Sequence, residues 1–180
     1  MNSKTIAVDR YDFVSKKPFE EVVTELEKGI GRPNIKTYFE KKAAAHSFEE
    51  YERLVNGAVG TADLMEFMRL DPGAVLRKAP AARAFKMVRI IAGNPLIMKK
   101  MTELVPDAAS YAPITILVSE REDGVHLSYD SMSSCLAPYQ NAQALEVATN
   151  LDEKVLGLLA QAANENPERR RDAPLFGKTQ

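Results

Sequence analysis

Residues 114–130 read ITILVSEREDGVHLSYD, and this stretch decides the fold. Two runs rich in β-branched and aromatic residues, Ile114–Glu120 and Val125–Asp130, flank Arg121–Gly124. Within that loop Asp123-Gly124 is the dipeptide that tight hairpin turns favour, because glycine accepts positive φ without steric cost. An antiparallel hairpin needs neighbours on its edges and a cover for one face. Working outward, the chain supplies both. Upstream, Phe85–Ala92 (FKMVRIIA) reads as a strand, Leu64–Leu70 (LMEFMRL) as a strand in preference to a helical turn, and residues 4–14 (KTIAVDRYDFV) as a first strand. Downstream, residues 142–163 place Leu145, Ala148, Leu151, Val155, Leu158, Leu159 and Ala162 on one stripe, which predicts a long helix with a single apolar face.

A second helix opens at Lys17-Pro18, with Phe19, Val22, Val23, Leu26 and Ile30 spaced by three and four. Glu20 and Glu21 in its first turn and Lys28 in its last suit the helix dipole, and Gly29 and Gly31 stop it. Ser47 followed by Glu50 is a capping box ahead of Tyr51, Leu54 and Val55, so residues 48–57 read as a helix. His46 stands just before the box, where packing on Tyr51 accounts for it. Gly57 and Gly60 then break the chain. Asp71-Pro72 reads as N-cap and first residue of a short helix to Lys78, and Asn94-Pro95 opens another to about Val105. Residues 31–46 carry no clear pattern. The order predicts an α+β fold: a two-layer β-α-β(4)-α arrangement with a mainly antiparallel sheet, helical insertions, and the helices at 18–29 and 142–163 on one face. A single domain covers residues 1–163. The polar tail, 164–180, carries Arg169, Arg170 and Arg171 and lacks apolar periodicity.

The chain has 180 residues, 45% hydrophobic and 27% charged, which places it among globular domains with an ordinary core. A net charge of -1 gives no global attraction to nucleic acid or to an anionic membrane. The single cysteine, Cys135, excludes an internal disulfide and fits a reducing compartment. The start, MNSKTIAVDRYDF, lacks the apolar core of a signal peptide, and no apolar run approaches the ~20 residues that span a bilayer. The expectation is a cytoplasmic protein without nucleic-acid or membrane partners.

No nucleophile elbow, P-loop, zinc-protease helix or paired CxxC occurs. Two histidines, His46 and His126, with one cysteine fall short of a zinc set. No catalytic residue, metal or cofactor is therefore assigned. The feature that points toward a ligand is regional. Between Pro72 and Thr102 there is no Asp or Glu, yet Arg77, Lys78, Arg83, Lys86, Arg89, Lys99 and Lys100 occur. The helix start at Asn94-Pro95 lies inside this window, and helix N-termini receive anions on unpaired N–H groups. The plain alternative is a solvated basic face balanced by Glu49, Glu50 and Glu52. Tyr129-Asp130-Ser131, with Ser133, Ser134 and Cys135, gathers hydroxyls beside a carboxylate. Such residues hold polar ligands or, more commonly, form turns and caps. Cys135 has no base or electropositive neighbourhood in the sequence and reads as a small packed residue.

Gly93-Asn94-Pro95, the downstream Tyr111-Ala112-Pro113, Tyr129-Asp130-Ser131 with Ser133-Ser134, and Leu151-Asp152-Glu153-Lys154 occur in an order and spacing that resemble the bacterial domain of unknown function 302 family. The resemblance is best over residues 85–160 and extends more loosely back to residue 5. It implies a β-α-β(4)-α two-layer fold, in agreement with the element order above, and it implies no settled activity. Many members carry Ile-Asp-His at the end of the second strand. Here the stretch is Leu70-Asp71-Pro72, so a role for that histidine does not carry over.

These observations lead to an expected non-catalytic binding domain for a small polar or anionic ligand, held by Arg89, Asn94, Lys99, Lys100, Tyr129, Asp130 and Ser133. A homodimer or higher oligomer using an exposed sheet face or edge is the second expectation. An enzyme with Asp130 or His126 as base is the third. In these readings Asn94 is either a plain helix cap, which Asp would replace, or a ligand contact, which Asp would spoil.

Overall fold

The hairpin forms as its turn residues require. Gly124 sits at φ 145, a conformation that L side chains rarely adopt, and Glu120 pairs with Val125 beside it. The computed structural model describes residue 3, residues 5–78 and residues 85–164. In chain order the elements are β1 (Arg10–Ser15), α1 (Phe19–Gly29), β2 (Ile30–Gly31), α2 (Ile35–Ala44), α3 (Phe48–Asn56), β3 (Leu64–Leu70), α4 (Gly73–Leu76), β4 (Met87–Gly93), α5 (Pro95–Thr102), β5 (Ile114–Arg121), β6 (Gly124–Asp130), α6 (Met132–Leu136) and α7 (Ala142–Ala163). The strands form one six-stranded sheet in the order β1-β6-β5-β4-β3-β2. Its pairs are antiparallel except β2 with β3.

Strand alternation sends Ile90, Ile116 and Leu127 to one face, where Val22 and Leu26 of α1 and Leu151, Val155 and Leu159 of α7 bury them. Helices α1 and α7 pack against each other on that face. The two-layer α+β architecture is therefore as expected. The opposite face carries Met68, Leu70, Met87, Arg89, Ile91, Thr115 and Leu117, by the register that pairs Arg89 with Leu117 and Ile91 with Thr115. One corner of this second face is closed by α2 and α3: Met65, next to core residue Leu64, joins Tyr38, Val55 and Ala58 in a small separate core.

Several boundaries differ from those expected. The first strand begins at Arg10, not near residue 4, because its partner β6 ends at Asp130, opposite Arg10. Residues 5–9 have no further strand to pair with, and Lys4 lies outside the described residues. The helix after Asn94 stops at Thr102 instead of Val105, since Pro106 disfavours helical backbone at the preceding residue, and residues 106–110 wind as a 3₁₀ turn. The helix after Asp71 spans only Gly73–Leu76 with Pro72, not Asp71, at its N-cap, while the Asp71 carboxylate pairs with Arg77. Residues 31–46, unread in the sequence, contain α2, capped by Asn34, whose side chain accepts a hydrogen bond from Thr37 N at 3.0 Å. Of the expected tail, Asn164 caps the end of α7 in the left-handed region, while residues 165–180, including Arg169–Arg171, lie outside the described residues, as does Arg83.

At Gly29 helices α1 and α7 approach tightly, for a Cβ there would stand 2.5 Å from Leu158 Cδ1. Leu158→Ala is expected to destabilise the fold by about 2–5 kcal/mol through the cavity it leaves. Gly29→Ala should destabilise on its own, and its cost should shrink in the Leu158→Ala background, where the clash is relieved. Urea titration of the two single variants and the double variant checks this; additive costs would mean that the contact does not limit the packing.

Candidate functional site

The residues that stood out in the sequence fold into two structural knots. At the end of β6, the Tyr129 hydroxyl donates to Asp152 Oδ1 at 2.5 Å. The same carboxylate accepts from Met132 N at 2.8 Å and Ser133 N at 2.9 Å, so it caps α6 from α7. Asp152 is 5% exposed, and burial together with this carboxylate pushes the Tyr129 hydroxyl's pKa well up. Ser131 caps the same short helix by accepting from Ser134 N. Tyr129 and Ser133 are thus engaged within the fold. Asp130 forms a two-pronged pair with Arg10, at 2.6 and 2.7 Å, and that hydrogen bonding holds its carboxyl below the ordinary value.

The second knot is Asn94. Its Oδ1 accepts from Leu96 N at 2.9 Å, the expected cap of α5. Its Nδ2 also donates to Asp63 O and Asp63 Oδ1, at 3.2 and 2.8 Å. Asp63 lies in the left-handed region, φ 60, and its Oδ2 accepts from Lys154 Nζ at 2.5 Å. Asn94 is therefore cap and clamp together, and Asp cannot fully replace it, because the two donated bonds would be lost beside another carboxylate.

The basic window does not converge. Lys86 pairs with Glu20 on α1, Arg77 with Asp71, and Lys99 with Glu103, while Lys99 also lies 5.3 Å from the centre of the Phe48 ring. Lys100 is exposed on α5, and Arg89 is on the open sheet face, with Thr115 Oγ1 3.4 Å from its guanidinium. Among the described residues, no cation of this window pairs with Glu49, Glu50 or Glu52. Arg89, Tyr129 and Asp130 line one basin over the open face, whereas Asn94 lines a different cavity, the two sharing Pro113 and Ile114 as a wall.

His126 is buried, with Nδ1 2.9 Å from Asp12 Oδ2 and Nε2 3.0 Å from Asp123 Oδ1. Both nitrogens are occupied, so the ring cross-links β1 to the β5–β6 turn and leaves none open to a substrate. Burial opposes ionisation of Asp12, but the Ser128 hydroxyl and His126 outweigh it and lower its pKa. Among the described residues no three His, Cys, Asp or Glu side chains are placed to hold a metal ion. Burial raises the pKa of the Cys135 thiol, as a packed cysteine requires.

The half-open cavity beside Asn94 has a volume of about 410 Å³. Ile97, Met98 and Met101 of α5 and Phe67 and Met68 at the β3 bulge give it an apolar wall. Its other wall is Tyr38, Phe39 and Lys42 of α2 with Tyr51 of α3. Tyr38 is 3% exposed, yet its hydroxyl is the one buried side-chain polar atom without a hydrogen-bond partner among the described residues. Burial first, and then the Tyr51 hydroxyl as a hydrogen-bonding neighbour outside ideal geometry, push its pKa well up. Neither Tyr38 nor Lys42 was singled out in the sequence. The signal available was the spacing of Ile35, Tyr38 and Lys42 behind the Pro33-Asn34 start.

A family model described as Domain of unknown function DUF302 matches residues 39–162. The crystal structure of an uncharacterized conserved DUF302 protein from Bacillus stearothermophilus superposes with a TM-score of 0.59 at 10% identity, covering 85% of this chain and 97% of that one. This likeness concerns the fold. No curated protein matches the chain. Among the described residues no helix is long and apolar enough to cross a membrane.

Asn94→Asp is expected to lower stability by about 1–3 kcal/mol, because buried donors are removed and two carboxylates are brought together. Asn94→Ser, which keeps the cap but loses the clamp, should cost less. Thermal melts at neutral pH and at pH 4 check the order. The Asp variant should recover part of its loss on acidification, when one carboxyl of the new pair takes up a proton.

Proposed function

The chain belongs to the family described as Domain of unknown function DUF302, and we propose that it is a non-catalytic binding domain whose ligand occupies the cavity beside Asn94. The observation that carries this reading is a space of about 410 Å³ with mostly apolar walls, whose few polar lining residues are Tyr38, Lys42, Tyr51 and Asn94. Pockets of this size with apolar walls and a few polar groups are the ordinary form of small-molecule sites. The ligand differs from the one expected in the sequence: its body is apolar, and Asn94 frames the site instead of contacting a charge. Arg89, Tyr129, Asp130 and Ser133 lie outside it, as do Lys99 and Lys100. A lone, packed thiol agrees with a cytoplasmic setting.

A second reading, a homo-oligomer, is favoured by Met68 and Leu70, which are 53% and 41% exposed on the open sheet face. A second copy laid on that face would bury them. In that case Leu70→Glu shifts the sedimentation coefficient toward a monomer; a monomer in the unmodified protein already ends this reading.

Binding is tested with protein carrying ¹³C-methyl methionine, titrated with 1-decanol. The Met98 and Met101 methyl signals, both from the cavity wall, are expected to move, while Met132, outside it, stays. Ile97→Trp, which fills the space, should weaken binding at least tenfold. Unmoved Met98 and Met101 signals would rule the reading out.

A further inference from the structure

The buried ring of His126 meets a carboxylate on each side. Strand alternation turns His126 and Ser128 of β6, Asp12 of β1 and Arg121 of β5 to the open sheet face, away from the main core. Nδ1 lies 2.9 Å from Asp12 Oδ2, and Nε2 lies 3.0 Å from Asp123 Oδ1. A carboxylate oxygen only accepts, so both contacts are hydrogen bonds only when both ring nitrogens carry protons. A neutral imidazole keeps one N–H and turns a lone pair toward the other carboxylate. The proton does not sit on an acid instead. Hydrogen bonding to His126 lowers the pKa of Asp123, and that of Asp12 is lowered as well, against its burial.

The two carboxylates are held unequally. Asp12 sits within β1, its Oδ1 accepts from the Ser128 hydroxyl at 2.7 Å, and Arg121 Nη1 stands 3.9 Å from its Oδ2. Asp123 sits in the β5–β6 turn with its side chain 66% exposed, and among the described residues His126 is the one side chain bonded to its carboxylate. Lys16, just past β1, donates to the Asp123 carbonyl at 2.5 Å, and Glu122 is the remaining charge of the turn. We infer that His126 is a proton-operated latch. With both nitrogens protonated it fastens the β5–β6 turn to the edge strand β1, and loss of the Nε2 proton releases Asp123 while Asp12 stays. The ladder itself persists, because the pairings of Val14 with His126 and Ser15 with Val125 are made by backbone groups that no side-chain proton enters. The proton is held by contacts that the unfolded chain lacks. The latch therefore contributes stability at lower pH and loses it as pH rises through the titration of the ring. At the acid end it holds until the carboxylates take up protons, below their ordinary value of about 3.9.

The test follows the full chain by NMR from about pH 5 to about pH 9, a span that brackets histidine titration. The exposed His46 serves as the reference ring. Ring ¹⁵N signals report the protonation of each nitrogen, and backbone ¹⁵N relaxation reports the order of Glu122, Asp123 and Gly124. As the pH rises, Nε2 is expected to lose its proton while Nδ1 keeps its own. Order parameters at the turn should fall in step, from about 0.85 toward about 0.6, while those of Phe13 and Leu127 in the ladder stay level. Asp123→Asn should lower the midpoint of the His126 titration by about half a unit, the scale of an exposed ion pair, and leave His46 unmoved. The melting temperature should drop by a few degrees across the titration, and His126→Gln should remove most of that drop whatever its own stability. If His126→Gln does not fold, the Asp123→Asn midpoint decides alone. A turn whose order does not follow the His126 titration overturns the latch, and so does an unchanged midpoint in Asp123→Asn. Loss of the Nδ1 proton in place of the Nε2 proton would make Asp12 the released partner and overturns it as well.

Discussion

A single buried carboxylate joins the two layers of this fold. Asp152 projects from the middle of α7 to the end of β6 and accepts three hydrogen bonds, from the Tyr129 hydroxyl and from two backbone N–H groups at the start of α6. A carboxylate taken out of water is tolerated only when its lone pairs are so satisfied, and removing it would strand its partners in the same dry place. The arrangement fixes the axial position of α7 on the sheet, which apolar contacts alone specify loosely, being non-directional. It also sets the turn out of β6, because α6 cannot start elsewhere without losing its cap. The core stripe of α7 then falls on Ile90, Ile116 and Leu127.

Asn94 acts in the same manner two strands away, at the end of β4. It joins the start of α5 to the left-handed turn at Asp63, and Lys154 of α7 completes the chain of contacts. Asp152 and Lys154 thus tie one helix to the end of β6 and to the turn before β3 within a single turn. The motifs that carry the family resemblance are occupied with this framework. The cavity lies beside the framework, and its chemistry comes from α2 and α3, outside the motifs quoted for the resemblance.

Much of the fold was legible because its signals were local. The hairpin followed from Asp123-Gly124, and α7 from a stripe long enough to have no rival interpretation. Strand β3 was readable from LMEFMRL despite its bulge between Glu66 and Met68. Helix α2 was not, for its apolar face is narrow: Tyr38 alone in it is buried, and Phe39 is left half-exposed. Site reasoning went furthest astray over charge. A run of Lys and Arg without acidic neighbours in sequence drew attention to residues 72–102, but folding brought Glu20 to Lys86, and Asp71 to Arg77 from just outside the run. Conversely, the unsatisfied Tyr38 hydroxyl is a property of packing, which no sequence pattern announces. Asn94 was recognised as a cap from Asn-Pro alone; its second role depended on Asp63, distant in sequence and with no pattern of its own.

The two borders of the sheet differ in a way that bears on how copies of the chain can meet. At one border β2 covers β3 for only two residues. The remainder of β3 contains the bulge and Arg69, whose guanidinium is gripped by Glu66 and by Glu27 of α1. A foreign strand approaching there meets a kinked, charged margin and cannot continue the ladder. Lateral growth into fibrils or ribbons is discouraged from that side, although the adjoining open face exposes Met68 and Leu70. Any stacking of one molecule on another through that surface would consequently be face to face, and so self-limiting.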